Sequence, residues 1–183
     1  MMAPGDYVFD NGPLSHFAEA GWLGLLELVV GEATAFVPDV VWSELQSGAG
    51  SFPHLRAVLD APWLHRYSLG STDELAAFAT YSARLVGSGS KNVGECGVLA
   101  AARLSGATAV LDDAAARTIA SEEGIAITGS VGLICSAVRD HGLKLDSASR
   151  VADTLLRTEY RLPFAEGGFK AFVLENDYLP YDG

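Results

Sequence analysis

The amino-acid sequence predicts an α/β fold built on an open, mostly parallel sheet, and three observations carry that expectation. The chain opens strand, helix, strand, helix, the alternation that βαβ units produce. Residues 92–117 then read helix, turn, strand and the start of another helix. Within them residues 107–111 are short, largely apolar and bounded, as a parallel strand buried on both faces would be.

Taken in order, Tyr7–Phe9 is a short apolar strand ending at Asp10. Asn11, Gly12 and Pro13 are expected to break it, with a helix over 14–20 that has Pro near its first position. Leu23, Leu25, Leu26 and Val29 continue an apolar helical face to Gly31. Residues 34–37 read as a second strand closed by Pro38, and Val40, Val41 and Leu45 as a short helix carrying Glu44. A loop over 47–53, a short helix over 54–59 and a strand over 64–69 follow. Ser71 or Thr72 caps a helix over 73–86, whose first turn is acidic as the helix dipole prefers. Residues 87–90 have a loop composition. After the central stretch come a helix over 114–123, a strand over 125–127, and helices over 131–140 and 146–160. A last helix spans Phe169–Glu175, and the tail is irregular. No repeat or linker interrupts the chain, so residues 1–183 are expected to form one domain, with 144–183 as its helical C-terminal extension.

Composition narrows the classes. The chain has 183 residues and a formal net charge of −11, with only 12 Lys plus Arg. That argues against broad, charge-driven binding to nucleic acid, while a divalent metal or a basic partner reverses the local sign. Nothing is long and apolar enough to span a membrane. The N-terminal residues have no signal-peptide pattern, so the expected location is cytoplasmic. Cys96 and Cys135 lie in helical patterns and are expected to be buried free thiols.

Acidic residues mark the places where chemistry collects. Asp10 ends the first strand, Glu44 sits on the helix after the second, and Glu95 opens the helix of the central stretch. Asp112 and Asp113 follow the strand over 107–111. Right-handed crossovers bring successive carboxyl ends of parallel strands to one edge, where ligands bind. Carboxylates gathered there repel by about 1 kcal/mol per pair at 4 Å even in water. A counter-ion relieves this, and all-oxygen ligands suit Mg²⁺ or Mn²⁺. The plain alternative for one of Asp112 and Asp113 is a helix cap.

The stretches VFDNGPLSHFA, VPDVVWSEL, VGECGVLAAARLSGA and AVLDDAAARTIASEEGI followed by TGSVGLI share their order and spacing with a known family. On them the chain resembles the PIN-domain family, and within it the VapC-like branch of prokaryotic toxin–antitoxin nucleases. RTEYRLPFAEGGF matches more weakly. The resemblance implies a three-layer α/β/α sandwich with a central, mostly parallel sheet. It implies a Mg²⁺- or Mn²⁺-dependent endoribonuclease leaving a 5′-phosphate and a 3′-hydroxyl, often a homodimer, held inactive by a small antitoxin protein. The alternatives are a catalytically silent binding or regulatory module, and a nuclease acting on DNA with the same site. Carried over residue by residue, the catalytic positions fall on Asp10, Glu44, Glu95 (Asp in many relatives) and Asp113. The metal ligands fall on Asp10, Glu95, Asp112 and Asp113, and Asp113 is favoured within the pair because it stands at the start of the helix. Asn11 stands where the family often has Thr or Ser.

Other residues have plainer readings. Arg117 is four positions after Asp113, the spacing of a helical ion pair, with a contact to the scissile phosphate as the alternative. Ser130 heads a helix, either as its cap or as part of a phosphate site at its N-terminus. His16, His54, His65 and His141 lack ligand spacing, and Trp22, Trp42 and Trp63 read as core or interface. Lys91 is a cation ahead of Glu95.

Overall fold

The computed structural model describes residues 2–85 and 92–180. The loop expected over 87–90 and Lys91 lie outside them. Five strands form one all-parallel sheet: β1 (Tyr7–Phe9), β2 (Ala35–Pro38), β3 (Leu64–Tyr67), β4 (Thr108–Val110) and β5 (Ile127–Thr128). Their order is β3-β2-β1-β4-β5, with Val8 opposite both Phe36 and Ala109.

Among the described residues ten helices connect and cover the strands: α1 (Asn11–Glu19), α2 (Leu23–Val30), α3 (Asp39–Gly48), α4 (Leu55–Leu59), α5 (Thr72–Leu85), α6 (Val93–Ser105), α7 (Ala114–Glu122), α8 (Ser130–His141), α9 (Leu145–Arg157) and α10 (Phe169–Glu175). The chain leaves β1 toward β2 and leaves β4 in the opposite direction toward β5, so right-handed crossovers place their helices on opposite faces. On one face α6 packs with α5 and α7 and lies against β1, β2 and β4. On the other, α2 packs with α1 and α8, and α9 follows on α8. The sheet flanked by helices is the expected α/β sandwich.

One apolar core runs through these layers, from Val8 and Phe9 on the sheet to Leu99 on α6, Ile134 on α8 and Leu155 on α9. Phe169 and Val173 of α10 are buried in it as well. Both cysteines are free and buried. Among the described residues no helix is long and apolar enough to cross a membrane.

Several boundaries differ from the sequence reading, the strand expected over 64–69 ending at Tyr67 among them, and three have a local reason. The strand ends at Phe9 as expected, but α1 begins at Asn11 and not at Leu14, because the Asp10 carboxylate caps it and accepts from the Gly12 amide at 3.3 Å. The last strand is shifted to Ile127–Thr128, since Ile125 instead bonds back to the Ala120 carbonyl behind α7. Finally, α9 stops at Arg157 where the periodicity suggested 160, and Glu159 takes a left-handed φ of 61°. The chain therefore turns sharply before Tyr160, which is what brings that ring to the sheet edge.

Candidate active site

β1 and β4 are neighbours whose crossovers leave in opposite directions, so the crevice outside their carboxyl ends is the switch point of the sheet. Asp10 follows β1 and its amide donates to the Val110 carbonyl at 2.9 Å, tying the two strand ends together. Asp112 and Asp113 follow β4. A cleft of about 380 Å³ opens there, and Asp10, Glu95, Asp112 and Asp113 all line it, with Tyr160 and Arg161 opposite. Four of the five acidic positions marked by the sequence thus share one cleft. Glu44 lines an adjoining cavity instead, with Asn11 and His54, although its carboxylate reaches toward Asp10.

Gly94 shows how close that reach is. A Cβ on Gly94 would lie 2.9 Å from Asp10 Oδ1 and 3.2 Å from Glu44 Oε2. The missing side chain is thus the gap in which the two carboxylates approach α6. Burial, then the charges of Glu95 and Glu44, raise the Asp10 carboxyl to about 7. Glu44 is raised by desolvation and then by Glu95. Glu95 is raised by burial and further by Asp113. Asp10, Glu44, Glu95 and Asp113 are therefore one mutually repelling set.

The two carboxylates after β4 have separate surroundings. Asp112 is held on both oxygens: Ser130 donates its amide at 3.0 Å and its hydroxyl at 2.7 Å, and the Tyr160 hydroxyl donates as well. The N-terminus of α8, read from sequence as a cap or a phosphate site, is thus occupied by the Asp112 carboxylate. Asp113 caps α7, accepting from the Ala116 amide at 2.8 Å through Oδ1. Its Oδ2 has no protein donor among the described residues. Arg117 does not pair with Asp113 among the described residues; its Nη1 donates to the Leu111 carbonyl at 3.2 Å, on the Asp112 side of the helix.

Among the described residues no three acidic, His or Cys side chains are drawn together closely enough to hold an ion as they stand. The donor set nevertheless fits a hard divalent cation. It is all oxygen, Gly94 leaves the space between Asp10 and Glu44 open, and Asn11 Oδ1 beside them is a buried acceptor without a donor.

Tyr160 and His16 escaped the sequence reading as site residues. Their rings stack 4.1 Å apart at the mouth of the cleft, and His16 Nδ1 hydrogen-bonds Thr158 at 2.9 Å. No spacing rule connects Tyr160 with Asp112 at 48 positions' separation. The only signal was that it falls within RTEYRLPFAEGGF.

An all-parallel sheet with carboxylates gathered at its switch point defines an α/β protein with an acidic cleft. The profile of DUF3368, a PIN domain, matches residues 6–166, and the chain belongs to the PIN-domain family. PIN domains are generally nucleases and typically use divalent metals. No curated protein matches the sequence.

Proposed function

We propose that the protein is a metal-dependent endoribonuclease, the toxin of a toxin–antitoxin pair. The observation that supports this most is Asp10, a carboxylate at the sheet's switch point raised to about 7 by burial, Glu95 and Glu44. Perturbation of that kind, in a cleft and from named charge partners, marks functional carboxylates. In this reading Asp10, Glu95 and Asp113 hold Mg²⁺ or Mn²⁺, with Asp112 at the edge of the same cleft. A bound divalent cation supplies Lewis acidity at a phosphoryl oxygen and makes a water more acidic. Asp113 is the better ligand of the adjacent pair because Oδ2 is without a donor among the described residues, whereas Ser130 and Tyr160 engage both oxygens of Asp112. Asp112 is then a positioning residue that fixes the loop after β4. Glu44, whose carboxyl is raised by burial and then by Glu95, orients the attacking water.

The same reading brings an RNA substrate, a small antitoxin partner, a homodimer and a cytoplasmic location. One observation favours a silent binding module instead: a net charge of −11 leaves few cations for a polyanion. Calorimetric titration of Mn²⁺ into wild type, Asp10→Asn and Asp113→Asn, with RNA and DNA cleavage assayed on the same samples, decides between them. Asn keeps the capping acceptor at both positions, so the fold is expected to survive. Metal binding and cutting in wild type, lost in both variants, is the expected result. Metal binding without cutting of either polymer favours the silent module. An absence of metal binding in wild type overturns the proposed site.

A further inference from the structure

A second cavity, of about 500 Å³, adjoins the acidic cleft and has the opposite chemistry. Its volume is that of a small-ligand site. It shares Asp112 and Arg161 with the acidic cleft, so the two cavities are neighbours along the edge of the sheet. Arg117 of α7 and Arg161 line it together with Thr128, Phe172 and Tyr178. Neither arginine forms an ion pair among the described residues, whereas Arg66, Arg84, Arg103, Arg139 and Arg157 all do. Arg117 is aimed by its bond to the Leu111 carbonyl. Gly129 keeps the wall thin, since a Cβ there would lie 2.9 Å from Arg117 Nη1 and collide with Asp112. The Phe172 and Tyr178 rings lie 5.9 Å apart at the other side, and Tyr178 is 37% exposed.

Planar guanidinium groups without carboxylate partners match phosphate in a two-pronged geometry. Aromatic faces beside them accept a base without regard to its identity. We propose that this cavity receives the nucleotide adjoining the scissile phosphate of a single-stranded nucleic acid, with Arg117 and Arg161 on its phosphate and Phe172 and Tyr178 against its base. The proposal rests on the nuclease reading and deepens it. In a chain this acidic, it adds Arg117 to the one arginine, Arg161, that lines the carboxylate cleft.

The test is fluorescence anisotropy of a labelled single-stranded 12-nucleotide RNA, and of DNA of the same sequence, in Ca²⁺. Arg117→Gln and Arg161→Gln are each expected to weaken binding about tenfold and to flatten the slope of log affinity against log salt by about 0.7. Tyr178→Ala weakens binding about tenfold with the slope unchanged. Arg117→Lys restores the slope without full affinity, because an ammonium lacks the fork. The melting temperature stays at the wild-type value in the Arg161 variant, and Mn²⁺ affinity stays at the wild-type value in the Tyr178 variant. Arg139→Gln, which removes a cation on α8 away from both cavities, leaves binding unchanged. Equal losses on RNA and DNA assign recognition to phosphate and base, and losses on RNA alone assign it to a ribose-bearing strand; both support the proposal. Wild-type affinity in the arginine variants, while wild type binds and cuts, overturns the subsite and leaves the nuclease reading standing. Neither strand bound nor cut by wild type that still binds Mn²⁺ overturns both.

Discussion

Asp10 carries the largest electrostatic consequence among the carboxylates of the cleft. Its carboxyl is raised from 3.8 to about 7, so the folded state binds its proton more tightly than the unfolded chain does. Stability from this group is therefore full below about 4 and is lost as pH climbs toward about 7. The metal-free protein should melt at progressively lower temperature across that window, by up to about 4 kcal/mol in free energy. Asp10→Asn keeps the cap and should remove most of this slope, leaving the variant more stable than wild type at pH 8; thermal melts at pH 5, 6.5 and 8 check both. Tyr160 is the second residue with a clear expectation. Its hydroxyl and Ser130 together hold Asp112. Tyr160→Phe should cost about 1–2 kcal/mol in urea unfolding and lower cleavage while leaving Mn²⁺ affinity close to wild type. Asp10, Glu95, Asp112 and Asp113 were legible in the sequence because each follows a strand or opens a helix, and Glu44 because it lies on the helix after the second strand. Tyr160 was not, because its position depends on the left-handed turn at Glu159.

Among the elements, α6 decides how close the carboxylates come. Two glycines on one face let it settle against β2 and α3. A Cβ on Gly97 would lie 2.6 Å from Val40 Cγ2 and 3.3 Å from Pro38 Cβ. Gly97→Ala should therefore overpack this contact and destabilise by about 1–3 kcal/mol in urea unfolding, even though Ala favours the helix by about 1 kcal/mol. Gly94→Ala places a methyl group against Asp10 and Glu44. It should reduce Mn²⁺ affinity in calorimetry more than it lowers the melting temperature. Periodicity located α6 to within a residue, since its apolar face and the Gly106 stop are both local. The purpose of Gly94 and Gly97 was invisible, because what they avoid (Asp10, Glu44, Val40 and Pro38) lies on elements far earlier in the chain. The start of α5 is a contrasting case. Ser71 and Glu74 cap it reciprocally, the Ser71 hydroxyl accepting from the Glu74 amide at 3.2 Å and the Glu74 carboxylate from the Ser71 amide at 2.9 Å. That device is written within four residues and was readable as such.

At the scale of the whole molecule, charge and topology act together. A net charge of −11 with the acidic cleft at one edge means that the folded state is strained by self-repulsion. Millimolar Mg²⁺ or Mn²⁺ should raise the melting temperature beyond what NaCl of equal ionic strength does, and EDTA should reverse the difference; Asp10→Asn should respond to the two salts alike. The sequence by itself determined the α/β class, most strand and helix positions and the acidic residues at their ends, because these follow from local patterns of apolarity and turn chemistry. Only the tertiary structure decided the strand order β3-β2-β1-β4-β5, which makes β1 and β4 neighbours and so brings Asp10 beside Asp112 and Asp113. It alone separated the roles within that pair, giving Asp112 to Ser130 and Tyr160 and Asp113 to the cap of α7. The physical reason is range. Helix and strand preferences are set by a few adjacent residues, while the distance between two carboxylates a hundred positions apart is set by how whole layers pack.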